Sequence, residues 1–330
     1  MPSFEPRVLS GMRPTGPLHL GHFFGALENW IRLSTSGEYR CFFFSADWHA
    51  LTTGYRDTKE LRKFRRDMIA DWLAVGIDPA KVTIFEQAAI PEHAELSTLL
   101  GMITPIPWLE RVPSYKEMRE ELVDRDLSTI GFLGYPLLQT ADIAIYLGTH
   151  VPVGEDQLAH IELSREVIRR FNTYYAEVLP EPKGLVTKVR RLPGLDGRKM
   201  SKSYNNAIYL SESAEEVRKK VMPAPTDPAR VKRTDPGNPE KCNIYSYHQL
   251  LQSLPELQEI ATGCRTAGIG CVDCKKRLLA KIEAFQTPIR AKKAEVLTSG
   301  LVDDVIADGN RIARAEAQKT MQQVREAMGL

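Results

Sequence analysis

Four short apolar runs punctuate the first half of the chain, and each leads through a turn into a segment with helical periodicity. Arg7-Val8-Leu9 precedes a helix carrying Phe23, Leu27, Trp30 and Ile31. Arg40–Ala46, rich in phenylalanine, precedes a helix that opens at Asp57-Thr58-Lys59-Glu60, sets Leu61, Phe64, Met68, Ile69 and Trp72 on one face, and stops at Gly76. Lys81–Glu86 precedes a helix from Pro91-Glu92 through Leu96, Leu99, Leu100 and Met102, and Val151-Pro152-Val153 precedes one from Leu158 to Phe171. Short strands separated by helices of this length form a parallel sheet covered by helices on both faces, the α/β class. Crossovers in such a sheet are right-handed, and ligands bind at the carboxyl ends of the strands.

One of those carboxyl ends is Ser10–His22, SGMRPTGPLHLGH. Gly11, Pro14 and Gly16 force a turn, and His19, Leu20, Gly21 and His22 open the helix. Free backbone N–H groups and the positive end of the helix dipole favour an anion there. His19 and His22 stand three apart in the first turn, so both can face one ligand, and imidazoles so placed can donate to phosphate oxygens as charge builds. The stretch is neither G-x-G-x-x-G nor G-x-x-x-x-G-K-[ST]. Two surface histidines at a helix start are the plain alternative.

Further along, Gly131–Leu147 reads as one apolar helix on which Tyr135, Gln139 and Asp142 share a face. Three polar groups on an apolar helix need partners, from a core network or from a ligand. Gly154-Glu155-Asp156-Gln157 repeats the strand, glycine turn, helix-start pattern; by itself it reads as an acidic N-cap. Pro105–Arg125 interrupts the alternation and is expected to be a helical insertion near the site or at a subunit contact. After Leu185–Leu192 and the loop Pro193–Arg198 comes Lys199-Met200-Ser201-Lys202-Ser203, a cationic arm able to close on a polyphosphate or, more plainly, a linker lysine pair. The proline-rich stretch Pro223–Pro239 is loop-like, and helices are expected after Lys241. The last, Asp303–Met328, lines up Ala313, Ala317, Met321, Val324 and Met328.

The 330 residues suffice for two domains, and 43% hydrophobic with 26% charged residues is an ordinary globular composition. No run approaches the roughly 20 apolar residues of a membrane span, and Met1–Pro6 lacks the regions of a signal peptide. No membrane association and a cytoplasmic location are expected. Net charge is only +2, but Lys183–Arg233 holds 13 Lys and Arg against 5 Asp and Glu, which suits a phosphate-rich partner.

Pro14–His22 resembles the HIGH motif of class I aminoacyl-tRNA synthetases, and Lys199–Ser203 is identical to their KMSKS signature. With Ser45–Ala50, Gly134-Tyr135-Pro136, Thr140-Ala141-Asp142-Ile143 and Val153–Gln157, the chain resembles bacterial-type tryptophanyl-tRNA synthetases along nearly its whole length. The resemblance implies a Rossmann-like catalytic domain over 1–205, with the insertion at about 105–130, and a helical tRNA- and anticodon-binding domain over 206–330. It implies activation of L-tryptophan with ATP and Mg²⁺, transfer to tRNA(Trp), and a homodimer. It gives His19, His22, Lys199 and Lys202 the catalytic roles. Arg13, Pro14, Thr15, Gly21, His22, Gly154, Glu155, Asp156, Leu192 and Lys199, Met200, Ser201, Lys202 and Ser203 would hold ATP, with Gly21 under the adenine and Gly154–Asp156 on the ribose. Leu9, Gly11, His49, Tyr135, Gln139, Asp142, Val151, Val153 and Gln157 would hold tryptophan. Asp142 suits the indole N–H, a donor only, but a phenol can also donate. A tyrosyl enzyme, an inactive synthetase-like RNA-binding protein and a nucleotidylyl transferase of related fold remain as alternatives.

Five cysteines in a cytosolic chain do not suggest disulfides. Cys41 sits in an apolar run and reads as core. Cys242, Cys264, Cys271 and Cys274 give C-x21-C-x6-C-x2-C, a metal-type spacing. One close pair with two lone cysteines favours [4Fe–4S] over Zn²⁺, and a subset of the resembling family carries such a cluster near its anticodon-reading region.

Overall fold

The computed structural model describes residues 4–113, 127–186, 192–198, 200 and 204–330. Among the described residues five parallel strands form one sheet: β1 (Arg7–Met12), β2 (Arg40–Ser45), β3 (Val82–Glu86), β4 (His150–Val153) and β5 (Lys183–Val186), in the order β3-β2-β1-β4-β5. The order reverses between β1 and β4, which leaves a crevice at their carboxyl ends. Register runs from Arg7 opposite Arg40 to Met12 opposite Ser45.

Alternation along the strands divides the core. Val8, Cys41, Phe43, Val82 and Ile84 point to one face, and Leu9, Phe42, Phe44, Phe85, Val151 and Val153 to the other. The first face is covered by α1 (Leu20–His22), a π-helical segment (Phe23–Leu27), α2 (Glu28–Thr35) and, after α3 (Asp47–Gly54), by α4 (Leu61–Ala74), which buries Met68, Ile69 and Trp72. On the second face lie α5 (Glu92–Gly101), the short α6 (Ile106–Glu110) and α7 (Ile130–Leu133), then α8 (Tyr135–Ile145) and α9 (Leu158–Tyr174). The expected single helix Gly131–Leu147 is two. Gly134 turns between α7 and α8, where Pro136 in the first turn of α8 has no N–H to carry a hydrogen bond back into α7. Of the expected insertion at about 105–130, residues 105–113 and 127–130 lie within the described residues.

The remaining helices are α10 (Ala214–Val221), α11 (Asn243–Leu251), α12 (Leu254–Arg265), α13 (Cys271–Thr298) and α14 (Leu301–Met328). The long α13 packs on α4, where Lys293 Nζ lies 2.8 Å from the buried Asp71 Oδ1. The last helix lies on edge strand β3: a Cβ on Gly309 would fall 1.7 Å from the Ile84 carbonyl oxygen, and Asn310 Oδ1 accepts the Glu86 N–H at 2.8 Å. Ala313, Ala317, Met321 and Val324 bury that side of α14 in the second face. An exposed strand edge is thereby capped, and the packing does not separate residues 206–330 from the sheet.

Candidate active site

A cavity of about 430 Å³ opens at the switch point, between the ends of β1 and β4. Every residue expected for the amino acid lines it: Leu9, Gly11, His49, Tyr135, Gln139, Asp142, Val151, Val153 and Gln157. Gly11 is required there, since a Cβ would come 2.4 Å from the Phe44 ring.

Asp142 is buried on α8 and accepts on both oxygens. His49 Nε2 is 2.8 Å from Oδ2, His93 Nδ1 is 2.7 Å from Oδ1, and Gln87 Nε2 reaches Oδ1 at 2.8 Å and Oδ2 at 2.9 Å. Burial alone would raise this carboxyl, but the hydrogen bonds and charges of His49 and His93 prevail and hold it at about 2. It is a carboxylate, an acceptor only, at neutral pH. Nearer the mouth, His160 Nδ1 lies 2.9 Å from Gln139 Oε1. Burial pushes His160 down to about 4, so it is neutral; it donates through Nδ1 and leaves the Gln139 NH₂ as a donor.

The β1–α1 turn forms the second half. Gly16 has φ 148°, and the Thr15 N–H closes on the Arg13 carbonyl at 2.9 Å. The His19 and His22 rings stack at 3.7 Å. His22 Nδ1 accepts the His19 backbone N–H at 3.1 Å, so its Nε2 carries the proton. Burial lowers His19 to about 4, and burial with the neighbouring His19 lowers His22 to about 3; both are neutral donors. His19 Nδ1 is buried with no hydrogen-bond partner among the described residues, the condition of a group awaiting a ligand. The π-helical segment follows directly and brings Gly25 and Ala26 to the cavity wall.

Of the residues expected for ATP, Arg13 and Gly154 line the cavity. Pro14, Thr15, Gly21 and His22 lie in the adjoining turn and first helix. Glu155 and Asp156 are exposed at the start of α9, and Asp156 folds back so that a Cβ on Gly154 would meet its Oδ1 at 2.6 Å. Leu192 and Met200 pack on the core under α1 and α2. A Cβ on Gly21 would come 3.1 Å from Met200 Sδ and 3.0 Å from the His19 ring, so the surface expected under adenine is covered by Met200 in this state. Lys199, Ser201, Lys202 and Ser203 lie outside the described residues. Sequence reasoning missed Phe132, His160, Gln87 and His93; all four sit in apolar contexts that read as core, and only the shared need of Asp142 for donors could have drawn attention to the last two.

The four cysteines gather where α11, α12 and α13 meet. Cys242 caps α11, Cys264 lies near the end of α12, and Cys271 and Cys274 occupy the first turn of α13. Burial, then the charges of Cys242, Cys264 and Cys271, push the Cys274 thiol up to about 12, and its Sγ lies 3.3 Å from His248 Nε2. Among the described residues no three His, Cys, Asp or Glu side chains stand together as a metal-binding group. Nor, among them, is any helix long and apolar enough to cross a membrane.

Residues 3–287 match the family described as tRNA synthetases class I (W and Y). The chain is 53% identical over 326 residues to the tryptophan–tRNA ligase of Thermotoga maritima, covering 98% of this chain and 99% of that one. It is 43% identical over 327 residues to the tryptophan–tRNA ligase of Deinococcus radiodurans, covering 98% of each. Its fold superposes with a TM-score of 0.88 on the tryptophanyl-tRNA synthetase of Campylobacter jejuni complexed with ADP and tryptophan, at 32% identity over 98% of this chain and all of that one. The chain therefore belongs to the class I tRNA synthetases of the tryptophan and tyrosine group, and within it to the bacterial-type tryptophan–tRNA ligases.

Proposed function

We propose that the chain condenses L-tryptophan with ATP and passes the tryptophanyl group to tRNA(Trp), with Asp142 reading the indole N–H. The observation that carries this reading is a buried, ionised carboxylate in an apolar cavity at the sheet's switch point. The cavity chemistry alone does not exclude tyrosine; the 53% identity to a tryptophan–tRNA ligase supports tryptophan.

The indole would lie between Leu9, Val151 and Val153, and its amino-acid end would meet the Gln139 and Gln157 amides. The carboxylate attacks the α-phosphorus, forming the C–O–P bond of the adenylate as the bond to pyrophosphate breaks. His22 Nε2–H and the His19 ring would donate to phosphate oxygens, and Lys199 and Lys202 would offset charge on the departing pyrophosphate. Such a reaction asks for positioning and charge stabilisation more than for covalent help. Arg13, Pro14 and Thr15 would line the nucleotide and Gly154–Asp156 the ribose; adenine on Gly21 requires Met200 to move aside. Mg²⁺ would arrive with ATP. A hydroxyl of the terminal tRNA ribose then attacks the acyl carbon and releases AMP.

Residues 206–330, with the basic segment Lys183–Arg233 that runs into them, would read the tRNA, in a cytoplasmic homodimer. The four cysteines are right in kind for [4Fe–4S] or Zn²⁺ and are near enough to feel one another's charge, although ligation would need their sulfurs drawn inward. A bound cluster would brace the junction of α11, α12 and α13; neither reaction step needs its electrons. Iron and sulfide with visible absorption after anaerobic purification would identify the cluster, and stoichiometric zinc in a colourless protein would replace it. The synthetase reading is tested by charging a tRNA(Trp) transcript: tryptophan should become acid-precipitable with ATP present, and failure with fully folded protein would contradict it.

A further inference from the structure

We propose that His93, buried behind the amino-acid cavity, is the positioning residue that aims the Asp142 carboxylate at its ligand, with Tyr146 fixing which ring nitrogen carries the proton. The inference rests on the reading of Asp142 as the indole acceptor and adds the device that makes it a directed one.

His93 lies on α5, is fully buried and does not line the cavity. Its Nδ1 is 2.7 Å from Asp142 Oδ1 and its Nε2 is 2.8 Å from the Tyr146 hydroxyl. The donors can be assigned. Gln87 Oε1 accepts the Trp48 backbone N–H at 3.0 Å, so the Gln87 NH₂ is the group that meets the carboxylate. Asp142 only accepts, so His93 donates through Nδ1. Burial, then the charges of Asp142 and Glu92, keep Tyr146 protonated, so its O–H is there to donate to His93 Nε2. With a proton on Nδ1, His93 serves the carboxylate and keeps Nε2 against the Tyr146 hydroxyl.

The consequence concerns direction. Oδ1 is held from behind by His93, Gln87 bridges both oxygens, and Oδ2 also meets His49, a cavity-lining group. His93 thus fixes the carboxylate plane with one oxygen turned inward and the other towards the cavity, as metal- and substrate-binding groups are oriented by the partners behind them. The groups facing Asp142 are His49 from α3, His93 from α5, Gln87 after β3, and Tyr146 beyond the end of its own helix, which Glu92 also faces.

The experiment measures tryptophan and ATP KM by pyrophosphate exchange between about pH 5 and about pH 8 in His93→Phe, His93→Asn, Tyr146→Phe and Asp142→Ala. His93→Phe removes the donor and should raise the tryptophan KM by about 30-fold, leave the ATP KM unchanged, and make the tryptophan KM climb further on acidification, because the carboxyl has lost a group that holds its proton off. His93→Asn restores an N–H at the same reach and should recover most of the loss. Tyr146→Phe keeps the ring but frees its tautomer, and a rise of about fivefold with the same acid-side slope is expected; it carries the test if His93→Phe does not fold. An unchanged tryptophan KM and pH profile in these variants, with Asp142→Ala impaired, would overturn the positioning role alone. An unimpaired Asp142→Ala would remove the indole reading and this inference with it.

Discussion

Met200 lies against Gly21, so that a Cβ on the glycine would come 3.1 Å from the methionine sulfur. The fourth residue from the end of KMSKS and the first helix of the sheet domain are thus in contact, although most of the sequence between them belongs to other elements. Gly21→Ala would press on both Met200 and His19. It should raise the ATP KM by about tenfold and leave the tryptophan KM unchanged, as initial rates of pyrophosphate exchange will report.

The two histidines beside that contact act as neutral donors. His19 and His22, at about 4 and about 3, sit below the ordinary 6.5 because burial disfavours their charged forms. Between those values and 6.5 the native state binds fewer protons than the unfolded chain. Their stabilisation, with that of His160 at about 4, is complete above 6.5 and is lost as pH falls towards 4. The urea midpoint should therefore fall from about pH 7 to about pH 5, and fall less in His22→Gln. His22→Ala should cost about 100-fold or more in kcat, the loss expected for one transition-state donor.

Asp142 makes a contrasting demand. With its acceptor removed, Asp142→Ala should raise the tryptophan KM by about 100-fold, while the ATP KM stays within about twofold. Equilibrium dialysis with each ligand separates the two effects.

Gly309 tests how the last helix is attached. Replacing glycine by alanine inside a helix ordinarily gains about 1 kcal/mol, but here the new Cβ would lie 1.7 Å from the Ile84 carbonyl oxygen. Overpacking should win, with a net loss of about 2 kcal/mol and a Tm lower by about 3 °C in calorimetry.

The parallel sheet was legible because its strands are short, apolar and separated by helices with a clear 3.6-residue period; β1, β2, β3 and β4 fall on the expected runs. The cavity at the switch point was legible because residues near two strand ends and one polar stripe of α8 can converge at only one place in such a sheet. The docking of α14 on β3 was not. An Ala-Ala-Met-Val face specifies burial without naming a partner, and only the Gly309 approach does so. The helix Ala214–Val221 was missed although Ser213 and Glu216 form a capping box, because it is short and buries only Val217 and Val221. His93 and Gln87 were invisible for a different reason: a buried residue that supports another polar side chain leaves no periodic trace.

The central claim is that this cavity selects tryptophan for activation at a triphosphate held by the first helix. Pyrophosphate exchange into ATP, run with tryptophan and tyrosine in parallel, tests it most directly. Exchange that depends on tryptophan, and is at least about a hundredfold weaker with tyrosine, is the predicted result. Exchange supported equally by tyrosine, or absent with both amino acids in a folded, ATP-binding protein, would contradict it.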